Sequence, residues 1–212
     1  MKYISIDIET TGLDKQNHDI IEFAAVADDL EIFSSDFGMN PHKPPFRPWD
    51  LPYFHVYIYK ENDLYQGSSF AFALHGEIFK KLRKRSVDSG HIDPKQYENY
   101  TTLENLNSLF VQWLYQIESE NEINVAGKNF NNFDKPFLQA KLPEQWKGDN
   151  WGNVKLNYRA IDPAILYWQP GDKGIPSSQM CLERAGLKGE VAHTALEDAM
   201  LMVKLVRNKL IK

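Results

Sequence analysis

The chain has 212 residues, 24 basic against 29 acidic side chains and a net charge of −5. That length suits one domain with a sizeable core, and the acidic balance argues against a partner such as long duplex nucleic acid while leaving short or single-stranded ends open. The lone cysteine, Cys181, excludes an internal disulfide and fits a reducing compartment in which a buried thiol serves as a small hydrophobe.

Met1-Lys2 runs straight into a strand pattern without a basic leader, and nowhere do eighteen apolar residues run together. The expectation is a soluble, cytoplasmic protein with no membrane partner. Ile4-Ser5-Ile6-Asp7-Ile8-Glu9 alternates strictly, which predicts a strand with isoleucines on one face and Ser5, Asp7 and Glu9 on the other. Two like charges so placed repel and lose hydration, so a cation belongs between them, and a divalent metal is the simplest. Thr10-Thr11-Gly12-Leu13 follows as a turn offering hydroxyls and backbone amides to a sugar and Leu13 to a base face.

Ile20 to Val26 and Glu31 to Phe37 read as two further strands, too close in sequence for helical crossovers, so the first three strands form an antiparallel meander. Glu22 in the second is read as a structural pair ahead of a site role. Residues 39–69 form an inserted segment rich in proline and aromatics. Its stretch Asn40 to Tyr59 has too many prolines for a helix or central strand and is equally suited to stacking on bases or covering an edge. Ala71 to Arg85 reads as a helix whose basic end, Lys80 to Arg85, is a solvated terminus or a phosphate contact. Asp93 to Thr102 is connecting structure, and a helix opening at Thr102-Leu103 carries Leu106, Phe110, Trp113 and Leu114 at core spacing. Glu122 to Gly127 is a fourth strand, Pro136 sits in the first turn of a helix through Leu142, and Lys155 to Ile161 is a fifth strand ending at a capping Asp162. Helices from Ser177 to Ala185 and from Ala195 to about Leu210 complete an α/β domain with a mixed five-stranded sheet spanning residues 1–212.

In the last helix, Thr194-Ala195-Leu196-Glu197 has the pattern of a capping box, which puts His193 and Asp198 where a hydrophobic staple normally sits. Asp198 shares a face with Leu201, Met202 and Leu205, so it points coreward, where an unpaired carboxylate is costly. Asp7, Glu9, Asp134 and Asp198 are hard oxygen donors suited to two Mg²⁺ or Mn²⁺ ions, with His193 beside them as general base.

Asp7-Ile8-Glu9-Thr10-Thr11-Gly12-Leu13, Asn129 to Asp134 and His193-Thr194-Ala195-Leu196-Glu197-Asp198-Ala199 resemble the three motifs of the DEDDh group of DnaQ-like 3′ to 5′ exonucleases. The resemblance implies a ribonuclease H-like fold and two-metal hydrolysis of single-stranded nucleic acid, DNA ahead of RNA, from 3′ ends to nucleoside 5′-monophosphates. It also implies metal ligation by Asp7, Glu9, Asp134 and Asp198, His193 as base, and substrate contacts from Thr10, Thr11, Gly12, Leu13, Asn129, Phe130 and Asn131. The superfamily includes RNA-trimming enzymes and proofreading subunits, for which a polymerase or a replication and repair complex is the partner. Two departures stand out: Phe130 occupies the usual asparagine position of the middle motif, leaving Asn129 and Asn131 as alternatives for it, and the 39–69 insertion exceeds a minimal member. A phosphatase reading with Asp7 as nucleophile gives His193 and Asp198 no work, and a catalytically silent binding module leaves five competent residues idle.

Overall fold

The computed structural model describes residues 1–31, 50–88, 99–117, 122–143, 146–147, 150–189 and 191–211. Among these, eight strands form one mixed sheet in the order β4-β3-β2-β1-β5-β8-β7-β6. The strands are β1 (Lys2–Thr10), β2 (Ile20–Asp29), β3 (Tyr53–Ile58), β4 (Tyr100–Thr101), β5 (Glu122–Ala126), β6 (Trp146–Lys147), β7 (Asn150–Trp151) and β8 (Val154–Leu156). The helices are α1 (Ser69–Leu74), α2 (Gly76–Asp88), α3 (Leu103–Ile117), α4 (Asp134–Lys141), α5 (Pro163–Leu166), α6 (Ser178–Arg184) and α7 (Ala195–Leu210). No helix among the described residues is long and apolar enough to cross a membrane.

The alternation read from β1 is realised as two buried faces. Ile4, Ile6 and Ile8 join Leu106, Phe110 and Leu114 of α3 in the larger core cluster, where Phe23, Phe110 and Trp151 meet edge to face. The opposite face, with Tyr3, Ala24 and Val26, is covered by Ala195, Ala199, Met200, Val203 and Val206 of α7. Small residues on the helix let its backbone approach the strands that carry Asp7 and Glu9, so one helix both seals the sheet and delivers Asp198.

Three expected elements differ. The antiparallel meander exists, but its third strand is Tyr53–Ile58, paired to β2 with Val56 opposite Phe23. That run begins only after Pro52 and is itself free of proline, so every β3 residue keeps its ladder donor and the ban on a central strand lapses. The strand expected over 31–37 lies outside the described residues from 32 onward, as do 40–49 of the proline-rich stretch and 93–98 of the expected connection, while Leu30 and Glu31 directly after β2 are helical. The helix expected over 71–85 is two helices: α1 ends at Leu74 with His75, at φ −97° and ψ 27°, as its C-cap, and α2 starts at Gly76. The fifth strand stops at Leu156: Asn157 turns its side chain onto the Arg159 N–H at 3.0 Å, and only Ile161 regains a bridge, to Ala126. β4, β6 and β7 have two residues each, too short to show a period, and they raise the sheet from five strands to eight.

Other expectations hold. Asp162 caps α5 by accepting the Ala164 N–H at 2.8 Å, Cys181 is buried, and Trp113 packs against Phe110. At the basic end of α2, Lys80 pairs with Glu77 and Lys81 lies 4.7 Å from the Tyr57 ring centroid, so two of its cations work within the protein.

Candidate metal centre

Asp7 and Glu9 leave β1 on the face under α7, and Asp198 comes down from the first turn of that helix. Each offers a carboxylate oxygen, and the three atoms lie within 4.8 Å of one another; among the described residues no other group of three acidic, histidine or cysteine side chains converges in this way. Asp198 Oδ1 is buried without a hydrogen-bond partner. An orphaned buried carboxylate oxygen in a half-buried cluster of like charges is the donor set a hard divalent cation requires, so these residues fit Mg²⁺ or Mn²⁺.

Asp134 stands beside the trio rather than within it. It opens α4, and its Oδ1 accepts the Ile8 N–H at 3.1 Å, next to the strand that carries both other ligands. His193 is exposed, in a left-handed conformation with φ 55°, and in its protonated form it favours the ionised form of Asp198.

Burial, with added repulsion from Asp134, Glu9, Asp198 and Glu22, pushes the Asp7 carboxyl well above the usual carboxylate range. Burial also raises Glu9 to about 9, Asp134 to about 7 against the pull of two backbone N–H groups, and Asp198 to about 6 against the pull of His193. The sign follows from linkage. Each folded-state value lies above the unfolded one, so the stability these groups contribute is complete below about pH 4 and is lost as pH climbs through the raised values. In EDTA the melting temperature should therefore fall between about pH 5 and pH 9, and saturating Mn²⁺ should remove the fall by favouring the ionised forms. An equal decline with and without the ion would count against a metal at these carboxylates.

Two buried groups that carry no local sequence signal complete the surroundings. Glu22 stands directly opposite Glu9 in the β1–β2 register and is fully buried. Its Oε1 lies 2.7 Å from His55 Nε2, and its Oε2 accepts the Ala195 N–H at 3.0 Å. Glu22 is thus the structural pair expected, now with partners, and it satisfies one of the free donors of α7 where the helix dipole favours a negative charge. That replaces the expected capping box: the Thr194 hydroxyl donates to Glu197 Oε2 at 2.7 Å and caps no backbone amide. His75, buried at the break between α1 and α2, puts Nε2 3.4 Å from Glu9 Oε2 while its Nδ1 has no partner. Burial lowers its pKa, so the neutral imidazole is the form that faces Glu9.

The expected substrate residues divide. The Thr10 and Thr11 hydroxyls are buried and taken by backbone groups, Thr10 donating to Gly12 O at 2.8 Å and Thr11 donating to Gln66 O while accepting the Asp19 N–H at 2.8 Å, so neither is free for a sugar. Gly12, at φ 152°, approaches His18 so closely that a Cβ would stand 2.2 Å from its Nδ1. Leu13 is 84% exposed beside them. Phe130 is turned into the main core, where its ring meets no substrate. Asn129, at φ 57°, gives its N–H to Asp162 Oδ2 and takes the Asn132 amide, while Asn131 donates to Tyr158 O. Both asparagines hold the loop that aims Asp134.

Compared with known proteins, the chain matches no family model and no curated protein.

Proposed function

We propose that this chain is a divalent-metal-dependent 3′ to 5′ exonuclease acting on single-stranded nucleic acid. The observation that carries the reading is the convergence of Asp7, Glu9 and Asp198 from two elements distant in sequence, with a buried Asp198 oxygen left unpaired. Asp7, Glu9, Asp134 and Asp198 would hold the metal, which when bound lowers the pKa of water and stabilises the leaving oxygen. His193, exposed at the mouth of the site, takes the proton from the attacking water at an imidazole nitrogen. The turn from Thr10 to Leu13 meets the terminal nucleotide with backbone amides and the Leu13 side chain. The antiparallel β3-β2-β1 triplet continued by parallel β5 and β8, with α7 over the carboxylates, supports reading the fold as ribonuclease H-like.

The test is a digestion with Mn²⁺ or EDTA of three substrates: an open single strand, the same strand with a 3′-terminal phosphate, and a closed circle. With Mn²⁺ the open strand shortens stepwise from its 3′ end to mononucleotides, the phosphorylated one is slowed and the circle survives. Cutting of the circle, or equal cutting in EDTA, would exclude a metal-dependent exonuclease, and matched DNA and RNA strands decide the sugar.

A further inference from the structure

Helix α1 is tied at both ends to the segment that carries the metal ligands, yet turns apolar side chains to solvent. At its start, the Ser68 N–H donates to Thr11 O at 2.8 Å, and Gly67 lies so close that a Cβ there would stand 2.3 Å from the same carbonyl oxygen. At its end, His75 faces Glu9. Ala71 is buried and Phe72 packs on Phe79, while Phe70 is 75% and Leu74 42% exposed. Four residues apart, Phe70 and Leu74 share one helix face. Phe70 lies two residues beyond Ser68, which limits its Cα to about 12 Å from the Thr11 carbonyl. Leu13, on the turn that Thr11 holds, is exposed as well.

Ser69–Leu74 contains no charged residue, so α1 has nothing with which to grip a phosphate. What it offers beside an acidic cluster is an aromatic face with aliphatic flanks, and the substrate group that such a surface recognises is an unpaired nucleobase, whose stacking tolerates any sequence. We propose that Phe70 stacks on a base at the 3′ end of the bound strand, with Leu74 and Leu13 bordering it, so that α1 selects ends whose bases are free of a partner strand. This rests on the exonuclease reading, and it adds a specificity-determining residue outside the sequence motifs.

The test compares two single strands with Mn²⁺: one with natural 3′-terminal nucleotides and one whose last two residues are tetrahydrofuran abasic units. Wild type, Phe70→Ala and Phe70→Trp are assayed on both. Phe70→Ala should lower kcat/KM on the natural end about tenfold, chiefly through KM, and leave the abasic end unchanged; Phe70→Trp should keep the preference. Because Phe70 is exposed, the melting temperature should not move. Equal losses on both ends, or none on either, would overturn the stacking role while leaving the exonuclease reading intact. Cleavage of neither strand by wild type would overturn both.

Discussion

Asp7→Asn should abolish hydrolysis and, in EDTA, raise the melting temperature of the folded chain. The carboxylates act together on the metal, so loss of one ligand misplaces the whole reacting centre, and a drop on the order of 10⁴-fold in kcat is expected. Without metal, the folded state must either hold the Asp7 proton at neutral pH or bury its charge among Glu9, Asp134, Asp198 and Glu22. An amide escapes both, a relief of about 1–3 kcal/mol, or roughly 2–12 °C. Thermal melts in EDTA at pH 8 and single-turnover rates with Mn²⁺ give the two readouts. A variant that lost stability and activity together would mark Asp7 as a folding residue, and one that kept activity would remove it from the site.

Arg207→Met should be among the most destabilising single changes in α7. Arg207 holds Asp28 through Nε at 2.9 Å and through Nη2, and Asp28 also accepts the Tyr3 hydroxyl at 2.7 Å, all three being buried. Removing the guanidinium strands a buried carboxylate, at about 3–5 kcal/mol, a fall of roughly 6–20 °C. The pair anchors α7 to β2 about 13 Å along the helix from Asp198, given 1.5 Å per residue, so its loss loosens the element that delivers a metal ligand. Replacing both partners, Asp28→Leu with Arg207→Met, should recover most of the loss because no unpaired charge remains. If the single and double variants melted alike, the stranded charge would not be the cause.

Much of the site was legible because its signals are local. Strict alternation placed Asp7 and Glu9 on one face of β1, and helical spacing put Asp198 toward the core side of α7. The mixed α/β sheet was legible for the same reason, down to the antiparallel start. What escaped depends on contacts distant in sequence. Nothing near Glu22 names His55 or Ala195, which lie 33 and 173 residues away. His75 sits in a stretch that reads as one continuous helix, and only its approach to Glu9 distinguishes it. Tyr53–Ile58 was obscured by the prolines before it, although its aromatic and β-branched residues after Pro52 carried a strand signal. The antiparallel pair β6 and β7, with Trp146 opposite Trp151, escaped because strands of two residues cannot show a period.

The most direct measurement is a calorimetric Mn²⁺ titration of the wild-type chain beside Asp7→Asn at the same pH and salt. Wild type should bind two ions, as paired-metal hydrolysis requires, and the variant should lose at least one of them. No binding by wild type, or identical isotherms for the two proteins, would contradict a metal centre built on Asp7, Glu9, Asp134 and Asp198.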